Sequence, residues 1–358
     1  MKIASAIGAA AVTALTLATP VASPAAAAPV PESVPLTWEL TPSGSEAQLR
    51  GLSAVSHSVA WASGSGGTVL RTVDGGGTWQ QTGPPDTAEL EFRDIEAFDE
   101  NTAVALSIGP GPDSRIYRTT DGGASWTPGF LNEDPAAFYD CMTFFDDRNG
   151  LAMSDPVDGK FRVLSTSDGG ASWDVLPADG MPPALEGEAG FAASGQCITA
   201  HGSSDAWIAT GGGDRARVLH SADRGMTWEA ADTPLASSES AGVFALAFRS
   251  ARQGIAIGGD FSAPTGGDDA LALTRTGGET WQLPHNAPAG YRSGVVYHPF
   301  LPNVLLAVGP TGSDLSVTGG TRWRQFDTGS FDTVDCARDG ACWASGEKGR
   351  IAKLRITL

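Results

Sequence analysis

RTVDGGGTW (71–79), RTTDGGASW (118–126) and STSDGGASW (165–173) are three copies of one phrase. A fourth reads HSADRGMTW (220–228), and two shorter ones read TRTGGETW (274–281) and SVTGGTRW (316–323). Their closing tryptophans lie 47, 47, 55, 53 and 42 residues apart. A turn signal recurring at that period marks a radial array of small β-sheets. Each phrase is a hairpin turn. Its glycines supply positive φ without steric cost. Its Asp and its Ser or Thr accept backbone N–H groups inside the turn. Its Trp is a wide apolar wedge for the space between sheets. Asp74, Asp121, Asp168 and Asp223 are therefore expected to be structural, because four copies of one catalytic carboxylate have no mechanistic use. Thr276 and Thr318 replace the Asp in the last two copies, which predicts looser turns there.

Every unit around a phrase has the same order: inner strand, turn, second strand, loop, third strand, the phrase, fourth strand. The units cover residues 50–81, 92–127, 138–176, 194–230, 243–283 and 291–326. The tail 331–358 supplies inner strands and no phrase, while LTWEL (36–40) reads as a displaced outer strand with Trp38 in the closing-Trp position. Apolar alternation at 243–248 and 351–356 supports strands, and no amphipathic helix is apparent. The expectation is an all-β, seven-bladed β-propeller closed by pairing of its N- and C-terminal strands, or six blades if the tail merely caps. Closure removes the open sheet edge that invites aggregation.

The phrases resemble Asp-box repeats, also called BNR repeats, known from sialidases and from many non-catalytic propellers. The first unit, LRGLSAVSHSVAWASGSGGTVLRTVDGGGTW (49–79), is similar to the photosystem II assembly and stability factor family. That resemblance covers nearly all of the chain beyond its first segment. It implies a seven-bladed propeller that binds membrane-protein partners during assembly, and it speaks for fold far more than for function.

Residues 1–27 read as a signal peptide: Lys2 is the positive start, 3–18 is apolar and small, and 20–28 is an Ala-rich cleavage region. Cleavage is expected after Ala27, leaving a linker over 28–35 and one propeller domain over 36–358. Nothing after it approaches the roughly 20-residue apolar run that spans a bilayer. The expected product is secreted, extracellular and monomeric. Its formal charge is -18, or about -19 without Lys2, which argues against nucleic acid and anionic membrane surfaces. Four cysteines suit an oxidising compartment. They allow three pairings; Cys141 with Cys197, at matching positions of consecutive units, and Cys336 with Cys342, across a short turn, is the favoured one.

Chemistry in such a ring belongs at the mouth of the central channel. Counting eleven residues back from the second-strand positions Trp61, Val104, Leu151 and Trp207 gives Arg50, Arg93, Asp140 and Gln196. Phe244, Arg292 and Asp332 follow approximately in the last three units, with Tyr139 and Tyr291 beside the ring. Three arginines among few cations present rigid donor forks suited to carboxylate or phosphate. The plain alternative pairs Arg50, Arg93 and Arg292 with Asp94, Asp140 and Asp332. The polar loop at 154–160 carries Asp155 and Asp158 but no recognised cation-loop spacing, so it reads as a solvated turn and no metal site is expected.

Three arginines with a Tyr and a Glu suggest a sialidase, yet the Arg-Ile-Pro motif typical of that family is missing before the first phrase. A nucleotide-cofactor oxidoreductase finds no glycine fingerprint, and His57, His201, His220, His285 and His298 are scattered. The expected function is an exported, non-catalytic binding or assembly module without cofactor. It would hold a peptide, a glycan or another anion through Arg50, Arg93, Tyr139, Asp140, Gln196, Arg292 and Asp332. Its partner would be an envelope or extracellular protein or glycan. The alternative is an enzyme, a glycosidase or a loosely defined oxidoreductase.

Overall fold

A computed structural model describes residues 36–266 and 269–356. The expected signal peptide and the whole of the expected linker lie outside the described residues. In chain order, β1 (Leu36–Pro42) precedes the first complete sheet, which comprises β2 (Leu49–Ala54), β3 (Ala60–Gly64), β4 (Thr68–Thr72) and β5 (Gln80–Gln81). The second holds β6 (Glu91–Ala97), β7 (Ala103–Ile108), β8 (Arg115–Thr119) and β9 (Thr127–Leu131). The third holds β10 (Tyr139–Phe144), β11 (Gly150–Val157), β12 (Lys160–Thr166) and β13 (Asp174–Val175). The fourth holds β14 (Ile198–His201), β15 (Asp205–Ala209), β16 (Arg217–Ser221) and β17 (Glu229–Asp232). The fifth has three strands, β18 (Ala241–Ser250), β19 (Gln253–Asp260) and β20 (Leu271–Thr274). Its fourth strand is reduced to one bridge, Leu273 to Gln282. The sixth holds β21 (Gly294–Tyr297), β22 (Leu305–Gly309), β23 (Gly312–Ser316) and β24 (Arg324–Asp327). The seventh combines β25 (Thr333–Cys336), β26 (Cys342–Ser345) and β27 (Arg350–Ile356) with β1.

These seven antiparallel sheets form a seven-bladed β-propeller. The ring closes as expected: β1 pairs with β27 from Leu36 opposite Ile356 to Pro42 opposite Arg350. Trp38 occupies the place of a phrase-closing Trp. Its ring is buried against Phe326 and Phe331, and its indole N–H donates to Ser313 Oγ of the preceding blade at 2.9 Å. Trp126 on Trp61 and Trp79 on Trp343 likewise pack between neighbouring blades, there edge-on.

The repeated turn works through its hydroxyl and carboxylate. In the first copy the Asp74 carboxylate accepts the Thr78 amide at 2.9 Å, the Thr78 hydroxyl at 2.8 Å and the Thr72 hydroxyl at 2.8 Å. Those bonds hold the Asp74 carboxyl down at about 2, and the equivalent set around Asp121 does the same there. Gly75 and Gly76 both have positive φ, which any side chain would resist. The Asp-free copies keep the backbone bond of the turn and lose part of the side-chain set. Thr276 and Thr318 hydroxyls still accept the amides of Thr280 and Arg322, each at 2.9 Å. The hydroxyl keeps the bond that fixes the backbone, but its contact with the preceding hydroxyl is longer, 3.2 Å from Thr274 and 3.3 Å from Ser316 against 2.8 Å from Thr72 to Asp74.

Both expected cysteine pairs are disulfides, Cys141–Cys197 between blades three and four and Cys336–Cys342 across one hairpin. They are compatible with an oxidising, extracellular setting. Among the described residues, no helix is long and apolar enough to cross a membrane.

Candidate functional site

The first strand of each blade faces the channel with one free edge, and a free edge carries amides that need acceptors. Neighbouring blades supply them. Asp94 on β6 accepts the Met142 amide at 2.6 Å, Asp335 on β25 accepts the Ala54 amide at 2.8 Å, and Ser53 Oγ accepts the Ala97 amide at 3.0 Å. Gln196 reaches across the channel. Its carbonyl accepts the Val295 amide and its amide donates to Val334 O, both at 2.9 Å. The polar cavity among these groups, about 250 Å³, also takes in Glu96. Burial raises the Asp94 and Glu96 carboxyls well above their ordinary range, and for Glu96 the charges of Asp94 and Asp335 add to it. Among the described residues no cluster of His, Cys, Asp and Glu is arranged to hold a metal ion.

Toward one mouth the inner strands do something more specific. The register of β2 against β3 slips between Leu49 and Gly51, and that of β6 against β7 between Phe92 and Asp94. The same slip separates Tyr139 from Cys141 and Val243 from Ala245. The extra residues are Arg50, Arg93, Asp140 and Phe244. A bulge breaks the alternation of the strand and re-aims one side chain, so four ring positions predicted by counting are bulge residues.

The bulges build a cavity of about 460 Å³. Its polar lining includes Gln48, Arg50, Arg93, Asp332 and Glu347, and its aromatic lining Phe191, Phe244, Phe261 and Tyr291. Arg93 bonds to Glu91 at 2.7 Å and donates to Ala192 O at 3.0 Å. Arg50 is less well served. Its Nε is buried without a hydrogen-bond partner, and burial followed by the nearby Arg93 charge lowers its guanidinium pKa. Asp332 accepts from the Gln48 amide at 3.1 Å. Burial raises the Asp332 carboxyl, against the pull of Arg50. The site is thus an incompletely satisfied cation between acids, facing aromatic rings.

The remaining predicted residues stand elsewhere. Arg292 is fully enclosed: Nε and Nη2 meet Asp314 Oδ2 at 2.7 and 2.6 Å, and Nη1 donates to Tyr291 O and Thr311 Oγ1. It pins its own blade rather than opening on the cavity: only Ser293 separates it from β21, and Asp314 on β23 captures its guanidinium. Tyr139 is buried between blades two and three, edge-on to Phe130 at 5.2 Å. Gln196 spans the channel. Asp140 lies beneath the mouth, hydrogen-bonded to Asp155. Asp155 in turn accepts the Gly190 amide at 2.8 Å. Burial pushes Asp155 up to about 6 and raises Asp140 well above the ordinary carboxylate range, with the neighbouring Asp155 charge adding to the rise at Asp140. Asp155 and Asp158 lie along the β11–β12 hairpin rather than in a separate loop. Phe191 and Phe261 escape sequence reasoning because both sit in long connections without periodicity.

No protein-family model and no curated protein sequence matches the chain. Among solved structures it is similar to YCF48 bound to D1 peptide, at TM-score 0.63 and 17% identity over 94% of this chain and 100% of that one. It is also similar to YCF48 from Cyanidioschyzon merolae, at TM-score 0.61 and 16% identity over 88% and 98%. The GH74 xyloglucanase from Xanthomonas campestris matches at TM-score 0.61 and 17% identity, over 89% of this chain and 53% of that one. At identities this low the structural likeness establishes the shared propeller fold alone.

Proposed function

We propose that the chain is an exported binding or assembly propeller that holds a carboxylate-bearing peptide at the mouth lined by Arg50 and Arg93. The observation that carries this is Arg50, whose buried, unpartnered Nε and depressed guanidinium would both be relieved by an anion. Asp332 beside it favours a peptide over a bare anion, because backbone amides next to the carboxylate can donate to it. The structure of YCF48 bound to D1 peptide supports the reading by fold likeness. The two disulfides and the N-terminal sequence support export.

The test is selection of peptides from a random displayed library on the full chain, followed by calorimetric titration. Loss of charge-assisted bonds costs about 1.5–3 kcal/mol, so Arg50→Ala weakens binding roughly 10- to 100-fold. Selected peptides that bind the Arg50→Ala/Arg93→Ala variant as tightly as the wild type refute the reading. A glycosidase is the second reading, favoured by Asp332, whose raised carboxyl shares the cavity with Glu347. Release of reducing ends from a polysaccharide panel, lost in Asp332→Asn, would replace the first reading with this one.

A further inference from the structure

Phe261 is 51% exposed at the rim of the mouth cavity. Its ring stands edge-on to Phe191 at 6.3 Å and to Phe244 at 6.1 Å. Phe191 and Phe244 lie face to face, 4.1 Å apart and 11° from parallel. Tyr291 closes on the edge of Phe244 at 4.8 Å. This wall has a dedicated support. Gly211 and Gly242 leave the slot that the Phe191 ring fills, since an added Cβ would come within 2.5 and 3.1 Å of it. The segment bearing Phe191 is tied by paired backbone bonds between Ala189 and Gly211, by the Gly190 amide to Asp155, and by Arg93 to Ala192 O. One guanidinium therefore lines the cavity and fixes its aromatic wall.

We infer that Phe191, Phe244 and Phe261 form a specificity subsite for a bulky apolar side chain adjacent to the ligand carboxylate. The inference rests on the reading of the mouth as a carboxylate-binding site. Its occupant is a peptide in which Phe, Leu or a similar residue bears, or directly neighbours, the carboxylate that Arg50 and Arg93 receive. The argument is chemical complementarity within one cavity. A bare carboxylate would fill little of 460 Å³ and would leave the exposed Phe261 face in water. A side chain and the carboxylate on or next to the same residue can reach both linings together.

The test measures fluorescence anisotropy of labelled peptides on the full chain. One peptide ends in Ala-Phe as the free acid, one in Ala-Ala as the free acid, and one in Asp-Phe as the amide. The Phe acid should bind about tenfold tighter than the Ala acid. Phe261→Ala, an exposed position, should shrink that preference to below about twofold, and Phe191→Ala should act in the same direction. Arg50→Ala should weaken both acids alike. Tight binding of the Asp-Phe amide supports the subsite with a side-chain carboxylate; its failure beside a tight Phe acid supports it with a chain terminus. Equal, Arg50-dependent binding of both acids overturns the subsite and leaves the carboxylate site standing. Absent or Arg50-independent binding of every peptide overturns the carboxylate site itself.

Discussion

Arg292→Ala separates a structural arginine from a ligand-binding one. The guanidinium is fully buried, and its partner Asp314 is nearly so. Burial raises the Asp314 carboxyl, and Arg292 works against that rise. Removing the arginine strands a carboxylate in a dry interior, while Tyr291 O and Thr311 Oγ1 lose a donor. Breaking one side of such a pair costs about 3–5 kcal/mol. A chain of this size shifts by about 2 °C per kcal/mol, so the melting temperature should fall roughly 6–10 °C at pH 7. Exchanging both partners, Arg292→Met with Asp314→Leu, should recover most of that loss, because a buried ion pair and an apolar pair of like volume are nearly equal in stability. Calorimetric melting of the wild type, the single variant and the double variant reads the first quantity. Peptide titration at a temperature where all three are folded reads the second, and it should show no change. An Arg292→Ala protein that melts like the wild type and fails to bind would refute the reasoning, and would return Arg292 to the ligand site.

The carboxyl pair under the mouth makes stability pH-dependent. Asp155 has a native pKa raised to about 6, so its contribution is complete below about pH 4 and lost as pH rises through about 6; thermal melts should show a decline between about pH 4 and pH 6 that Asp155→Asn flattens, and Asp140, also raised by burial, acts in the same sense. The turn aspartates have lowered values and act oppositely, their contribution disappearing as pH falls from about 4 toward 2, which places the optimum in mild acid. Replacing Cys141 and Cys197 with alanine opens a long loop, sequence separation 56, and should cost about 4 kcal/mol in denaturant melts, against about 2 kcal/mol for Cys336 and Cys342, separation 6. Trp38→Ala removes the wedge that closes the ring and should cost about 3–5 kcal/mol, with aggregation on heating as the blade-seven edge opens.

What the sequence makes legible here is whatever depends on neighbours along the chain. Each turn phrase carries its own acceptors and its own glycines, so the hairpins, their count and the seven-bladed ring follow from reading alone. Trp38 and the cysteine pairs follow by analogy of position, because equivalent residues in a radial repeat occupy equivalent places. The mouth obeys that rule only in part. Counting back from the second strand reaches Arg50, Arg93 and Phe244 because those blades share a bulge at that place. Asp140 is bulged too, yet a segment from the next blade, held by Asp155 and Arg93, lies over it. Arg292 lies before its strand begins, where no bulge sets its direction, and Asp314 captures it. Phe191 and Phe261 come from connections whose course depends on what they pack against, and only the glycines at 211 and 242 hint that a ring must fit there. The scaffold is therefore written locally and repeatedly. The binding chemistry is written once, in contacts between blades, and a change in those connections can alter the ligand without disturbing the ring.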